Sequence, residues 1–407
     1  MPRIRLLYLL QGLAVAAFGP FVPVILAERG FAPASIGLVF AATSLVYVVS
    51  VPAWGHLGDV VLGRSLALRL AMLGAAAMLL VFALPLPLPA LAIIYVGYAT
   101  CFGAAGPLSD ALAVNALRDP GRQYGKIRAL LSASFTVTAI GFGLLYGVAG
   151  YWPAPFLFVA FALVLAWLGG SIPDRTRAAL VVHRRGGAIR EALAMQPALP
   201  RVLIAVGIAH VGVFVGFSFL SLRLVELGGG APQVALSSAT AAAAEVVAMV
   251  AAGRIVRRIG MRAMFACASL LSAAAFASWA VLATPEAIIA TRIVSGIGYA
   301  GIFIASVTSM QLLLPSRLQG SGQALASMTT AGIAAFVANV LGGLIYGGPA
   351  HELLFGVGAG FALVGALLGW WWMPRRNAGR FAEPTVQPTV TDVVAGPAPG
   401  PSLEAPG

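Results

Sequence analysis

The stretch GHLGDVVLGR, residues 55–64, sits between two apolar runs and holds three glycines, a carboxylate and an arginine. At 253 − 55 = 198 residues further on comes GRIVRRIGMR, residues 253–262, again between two apolar runs. A second pair keeps almost the same offset. GFGLLYG closes one run at Tyr146 and LGGLIYG closes another at Tyr346, 346 − 146 = 200 residues later. A chain of 407 residues that repeats at about half its length is built from two similar halves.

What those halves are made of follows from composition. Sixty percent of the residues are apolar and 9% charged, and the mean hydropathy is +0.95. Such a balance leaves too little polar surface for a water-soluble domain. Lipid gives the backbone no hydrogen-bond partner, so a crossing segment is a helix of about 20 mostly apolar residues. Twelve such spans can be drawn, among them 91–115, 128–149, 154–173, 201–225, 233–252, 286–310 and 324–347. They predict an N-terminal six-helix bundle over 1–173, a basic linker over 174–200, a C-terminal bundle over 201–373 and a disordered Pro- and Gly-rich tail over 374–407. The second half of the linker has the pattern of a short helix lying on the headgroups.

The net charge of +12 is concentrated in alternate loops: Arg3 and Arg5, Arg64 and Arg69, Arg118, Arg122 and Lys126, then the middle linker, Arg254 to Arg262, Arg317, and Arg375 to Arg380. The other loops carry little beyond Arg29, Arg223 and a few glutamates. This asymmetry predicts a multi-pass protein of the cytoplasmic membrane with both termini in the cytoplasm, and it accounts for the basic excess without a nucleic-acid partner. The first span is long enough to serve as an uncleaved anchor. Cys101 and Cys267 lie in apolar segments and receive no chemistry. No P-loop and no HExxH motif occurs, so the sequence supports neither an ATP-driven pump nor a metalloenzyme; no metal or organic cofactor is expected. The expected partners are the bilayer and a small-molecule substrate, and the expected state is a monomer.

A charge at the centre of a membrane helix costs roughly 2.5 to 3.5 kcal/mol, so it must be paired or face water. The charges so placed are Asp110, Arg128, Glu245 and Arg292, with His210 as a titratable companion. Asp110 and Arg128 lie 128 − 110 = 18 residues apart on two spans joined by a short loop, at similar depth, which suits an ion pair. Arg292 either binds an anionic substrate or neutralises Glu245 across the bundle; plainer readings are Asp110 and Arg128 as a staple between helices, His210 as a hydrogen-bonded helix residue, and Phe18, Phe214 and Tyr299 as packing.

GHLGDVVLGR resembles the signature loop G-x-L-x-D-R-x-G-R of the major facilitator superfamily, with Val60 in place of the usual basic residue and one extra residue before Gly63. The resemblance implies an all-α membrane fold of 12 transmembrane helices in two pseudo-symmetric six-helix bundles. It also implies a cytoplasmic gate motif of Gly55, Asp59, Gly63 and Arg64, in which Asp59 latches the cytoplasmic ends in the outward-facing state. The segment PLSD…YGKIR, with Asp110, Tyr124, Gly125 and Arg128, is similar to that of the lactose permease group of sugar–proton symporters and of their phenylpropionate-permease and nucleoside-symporter relatives. There a carboxylate on helix four and an arginine on helix five bind substrate together, and AEVVAMVAAGRIVRRIG matches the glutamate-bearing helix eight of the relatives, at Glu245.

Two departures stand out: Leu131 replaces a glycine, and helix ten lacks a His-x-x-Glu pair, offering Arg292, Ser295 and Tyr299 instead. The resemblance implies a secondary transporter for a sugar, nucleoside or organic acid. Alternating access would occur about a cavity lined mainly by helices one, four, seven and ten, with the proton as coupling ion. Efflux by proton antiport is the alternative, although GFGLLYGVAGYWP lacks the Gly-Pro of many antiporters; a non-transporting membrane sensor is the distant one.

Overall fold

The computed structural model describes residues 2–117, 120–173, 188–315 and 318–375, with 120–126 and 188 in backbone only. Every regular element among them is helical. Eleven helices are long and apolar enough to cross a membrane. We label them, with the shorter α6, in chain order: α1 (Pro2–Glu28), α2 (Pro33–Val61), α3 (Arg64–Phe82), α4 (Leu88–Ala116), α5 (Pro120–Ala149), α6 (Ala154–Gly170), α7 (Leu199–Glu226), α8 (Ala231–Ile259), α9 (Met261–Val281), α10 (Pro285–Leu313), α11 (Gln319–Tyr346) and α12 (Leu353–Trp372).

The internal repeat becomes a packing repeat. Helix α3 lies on α6 as α9 lies on α12; α1 packs on α5 and α6 as α7 packs on α11 and α12. The two motif loops turn alike: Gly63 has φ +81° and Gly260 has φ +82°. This is a left-handed backbone that a side chain would strain, so glycine is required at both turns. The extra residue before Gly63 is absorbed by a π-turn over Leu57–Val61, which widens the end of α2 without breaking it.

The side that carries the ends of the described chain, the terminal side, is tied by arginines. Arg3 donates to the Ser171 carbonyl at 2.9 Å, and Arg262 donates to the carbonyls of Met373 at 2.7 Å and Trp371 at 2.8 Å. These bonds satisfy helix-end carbonyls left without intrahelical partners.

The halves meet on the opposite, far side. There α2 packs on α11 and α5 on α8. Gly37 and Gly343 lie back to back, and Gly143 rests on Ala231 and Ala235. Lipid supplies no hydrophobic drive between helices, so close backbone approach through small residues is what holds such an interface.

Four helices are interrupted within their spans. A 3-10 turn at Gly19–Phe21 breaks α1 between Pro20 and Pro23; α4 breaks at Gly103 and Ala104, α7 breaks at Phe219, and α11 carries a π-turn over Met328–Ala334. Irregular backbone at this depth is tolerated where it faces a water-filled cavity rather than lipid.

Several expected boundaries move. Span five was expected from residue 128, but α5 begins at Pro120, so Arg128 lies two turns inside it. Helix α6 ends at Gly170, 17 residues long. The linker helix, Ala188–Met195, does not simply lie on headgroups: Ala192 is fully buried, and Gln196 reaches the Leu313 carbonyl at the end of α10. The basic residues expected at 118, at 175–185, at 317 and at 376–380, and the tail from 376, lie outside the described residues.

Candidate functional site

Breaking α1, α4 and α7 leaves a hollow between the halves, made of three adjoining chambers that all share Gly19 and Phe214 in their walls. The largest, about 770 Å³, lies toward the terminal side and holds Asp110 and Arg128. A second, about 370 Å³, holds Glu245, Arg292 and Tyr299. A third, about 330 Å³, lies farther toward the far side and is lined by Arg292 and several serines.

In the first chamber Arg128 Nη1 donates to Asp110 Oδ2 at 2.5 Å, and Tyr8 Oη donates to Asp110 Oδ1 at 2.6 Å. Three helices therefore converge on one carboxylate: α4 supplies it, while α1 and α5 supply its donors. Arg128 is half-exposed, with 50% of its side chain accessible, and Asp110 retains 29%. A wet pair of this kind adds little stability, whereas removing one partner leaves a lone charge at membrane depth. The pair is thus available to a ligand that can exchange hydrogen bonds with it. Gln11, one turn beyond Tyr8, also faces this chamber, and its Oε1 is buried without a hydrogen-bond partner. Tyr47, Tyr95, Tyr98 and Phe102 add ring faces.

The second chamber is organised differently. Arg292 is only 8% exposed and is held by its own bundle: Nε donates to the Ser237 carbonyl at 3.3 Å and Nη1 to Ser295 Oγ at 3.1 Å. Its guanidinium carbon lies 4.5 Å from the centre of the Phe217 ring and 5.4 Å from that of Trp279. Rings so placed stabilise a cation through their quadrupoles. Glu245 lines the same chamber, yet no ion pair or hydrogen bond joins its carboxylate to another described residue. Arg292 and Glu245 share a chamber wall without a direct ion pair or hydrogen bond, each within reach of the other's charge.

The charges are staggered along the membrane normal. Arg292 lies 292 − 285 = 7 residues, about 10 Å, from the far-side start of α10. Glu245 lies 245 − 231 = 14 residues, about 21 Å, from that of α8. Asp110 lies 116 − 110 = 6 residues, about 9 Å, from the terminal-side end of α4.

His210 stands apart. It is 3% exposed, its Nδ1 donates to the Val206 carbonyl at 2.8 Å, and it is absent from the walls of all three chambers. Its expected place among the cavity residues is corrected to a hydrogen bond within its own helix. Phe18 is likewise fully buried, against Phe82, Tyr98 and Phe158, whereas Phe214 and Tyr299 do line the hollow. In the gate motif Arg64 Nε donates to Asp59 Oδ1 at 2.7 Å, Gly63 makes the turn, and nothing crowds Gly55. Sequence reasoning missed Tyr8; its i, i+3 spacing to Gln11 on the first span was the available signal.

The chain matches the family model described as the MFS_1 like family over residues 2–357. The chain belongs to the MFS_1-like family. Members of this major facilitator branch are transporters rather than enzymes, and this one is a multi-pass membrane transporter. It is 28% identical over 348 residues to the maltose permease of Geobacillus stearothermophilus, spanning 84% of this chain and 86% of that one. Among solved structures, a variant of the nucleoside transporter NupG superposes with a TM-score of 0.81 at 16% identity, covering 91% of this chain and all of the other. A D-xylose–proton symporter superposes with a TM-score of 0.69, also at 16% identity, covering 93% and 99%. At such identities the superpositions speak for the fold, and the family match carries the rest.

Proposed function

We propose that the protein is a proton-coupled symporter that brings a small hydroxyl-rich solute, a sugar or nucleoside, across the cytoplasmic membrane by alternating access. Its termini lie in the cytoplasm, as the positive-inside pattern of its loops supports, so the hollow opens inward and is closed outward by α2 on α11 and α5 on α8. Asp110 and Arg128 offer acceptors and donors to hydroxyl groups, with the fully buried Tyr8 steadying the carboxylate from behind. Tyr95, Tyr98 and Phe102 offer faces for the apolar side of a sugar ring or a base. The likeness to a maltose permease supports the sugar reading.

The observation that carries proton coupling is Glu245: a carboxylate facing the hollow with no bonded partner, beside a second carboxylate that has two. A solute spanning the chambers would link the Asp110–Arg128 pair of one half to Glu245 of the other. Rocking of the halves would then change which side supplies or receives the proton on Glu245. Arg292, fastened among aromatic rings, holds the adjoining positive field in place.

The test uses proteoliposomes and a panel of maltose, glucose, xylose and uridine. An inward proton gradient should accelerate uptake of at least one, and Glu245→Gln should keep solute exchange while losing gradient-driven accumulation. Accumulation by Glu245→Gln equal to that of the unaltered protein would remove Glu245 from coupling.

A further inference from the structure

The third chamber has a feature that solute binding at Asp110 and Arg128 does not use. Its walls include Arg292, Ser218, Ser221, Ser237 and Ser238, an unusual density of hydroxyls for the far-side third of a membrane bundle. Ser221 is 8% exposed, and its Oγ is buried with no hydrogen-bond partner. A buried hydroxyl left so bears its full desolvation cost unless something fills the space beside it. Arg292 is equally buried; Glu245 shares the adjoining chamber with it, but no carboxylate bonds to it among the described residues. Its hydrogen bonds engage Nε and Nη1, leaving Nη2 without a protein acceptor among the described residues. A cation this deep is ordinarily paired, because taking it from water unpaired is expensive. The rings of Phe217 and Trp279 soften that cost.

We infer that this chamber is a second binding site, for a small carboxylate group, held at the edge of Arg292 with Ser221 completing its hydrogen bonds. A planar carboxylate matches the guanidinium fork, and serine hydroxyls donate to its outer lone pairs. The chamber's volume of about 330 Å³ suits a compact anion. The carboxylate has two sources, a free anion or the acid end of a longer solute whose hydroxyls reach Glu245 in the adjoining chamber. Occupancy needs neither turnover nor a proton gradient, so a transport defect and a binding defect are read separately.

The experiment is equilibrium dialysis of the purified full-length protein against radiolabelled acetate and, in parallel, gluconate. Saturable binding is expected. Arg292→Gln should weaken it at least tenfold, Ser221→Ala several-fold, and Arg292→Lys should fall between Arg292→Gln and the unaltered protein, because it keeps the charge and loses the fork, which separates lost charge from lost folding. Acetate binding that persists in Asp110→Asn identifies a free anion as occupant. Gluconate that binds more tightly than acetate, and is weakened by both Arg292→Gln and Glu245→Gln, identifies the acid end of a longer solute. The assignment is overturned if neither probe binds saturably, if binding in Arg292→Gln equals that of the unaltered protein, or if acetate binding is lost only with Asp110→Asn.

Discussion

Gly37 of α2 and Gly343 of α11 meet so closely across the two halves that a Cβ on Gly37 would stand 2.5 Å from the Gly343 Cα and 2.5 Å from the Asn339 carbonyl oxygen. Both obstacles are backbone, so neither can swing aside. Beside them Asn339 Nδ2 donates to Ser44 Oγ at 3.2 Å, and Asn339 Oδ1 accepts from Ser218 at 2.6 Å, so a polar stitch joins α2, α11 and α7.

Gly37→Val should therefore wedge the far side apart. Pulsed EPR between spin labels on the far-side ends of α2 and α11 should show the longer-distance population dominating, and uptake should fall below about a tenth. Asn339→Ala removes only hydrogen bonds, worth about 0.6 kcal/mol each on average between membrane helices. It should shift the same equilibrium by severalfold at most. An unchanged distance distribution in Gly37→Val would mean that this contact does not hold the far side closed.

Tyr8→Phe deletes the hydroxyl that steadies Asp110 and keeps the ring. Hydrogen bonds to charged groups contribute about 1.5 to 3 kcal/mol, so solute affinity should fall about tenfold or more while the protein remains folded. Binding measured by calorimetry with the transported solute checks this. An affinity within twofold of the unaltered protein would leave Arg128 as the sole organiser of Asp110.

His210→Gln should leave the pH dependence of uptake where it was, because His210 bonds only to its own helix and lies off the hollow. A displaced pH profile in that variant would restore it to the coupling machinery.

The far-side end of α7 is fastened by a cluster. Arg223 Nη1 lies 3.4 Å from Glu352 Oε1 and 3.8 Å from Glu226 Oε2, and His351 Nε2 lies 3.3 Å from Glu352 Oε1. The carboxyl of Glu352, in the loop before α12, is held below the usual carboxylate range, first by its own backbone N–H and then by His351 and Arg223. A carboxylate depressed in the folded state stabilises that state above its ordinary range, and the benefit is lost as pH falls through the folded value. Thermal unfolding should accordingly fall more on acidification below about pH 4.5 in the unaltered protein than in Glu352→Gln. Arg223→Met should lower the melting temperature at neutral pH by a few degrees. Identical acid profiles for Glu352→Gln and the unaltered protein would remove Glu352 from the cluster's energetics.

The parts of this structure that depend on a linear pattern were readable beforehand. Apolar runs gave the helices, and the spacing of Gly63 and Gly260 gave the two equivalent turns. The 18-residue interval placed Asp110 against Arg128. What escaped was set by helix rotation and by breaks. Tyr8 joins Asp110 because α1 turns that face inward, and residue type alone does not report rotation. His210 faces protein rather than water for the same reason. The rings of Phe217 and Trp279 beside Arg292, 75 and 13 residues away in sequence, could not be read from the linear pattern. The extra residue in the motif loop looked like a departure from pattern, and a local π-turn accommodates it.

The staggering of Asp110, Glu245 and Arg292 sets a yardstick for whatever passes through. A short guest can touch only the neighbouring rungs of this ladder at one moment, and must hand itself from one to the next. A guest long enough to grip both ends at once would lock the passage it entered, so potent blockers should be sought among elongated molecules bearing hydroxyls at one tip and an acid at the other.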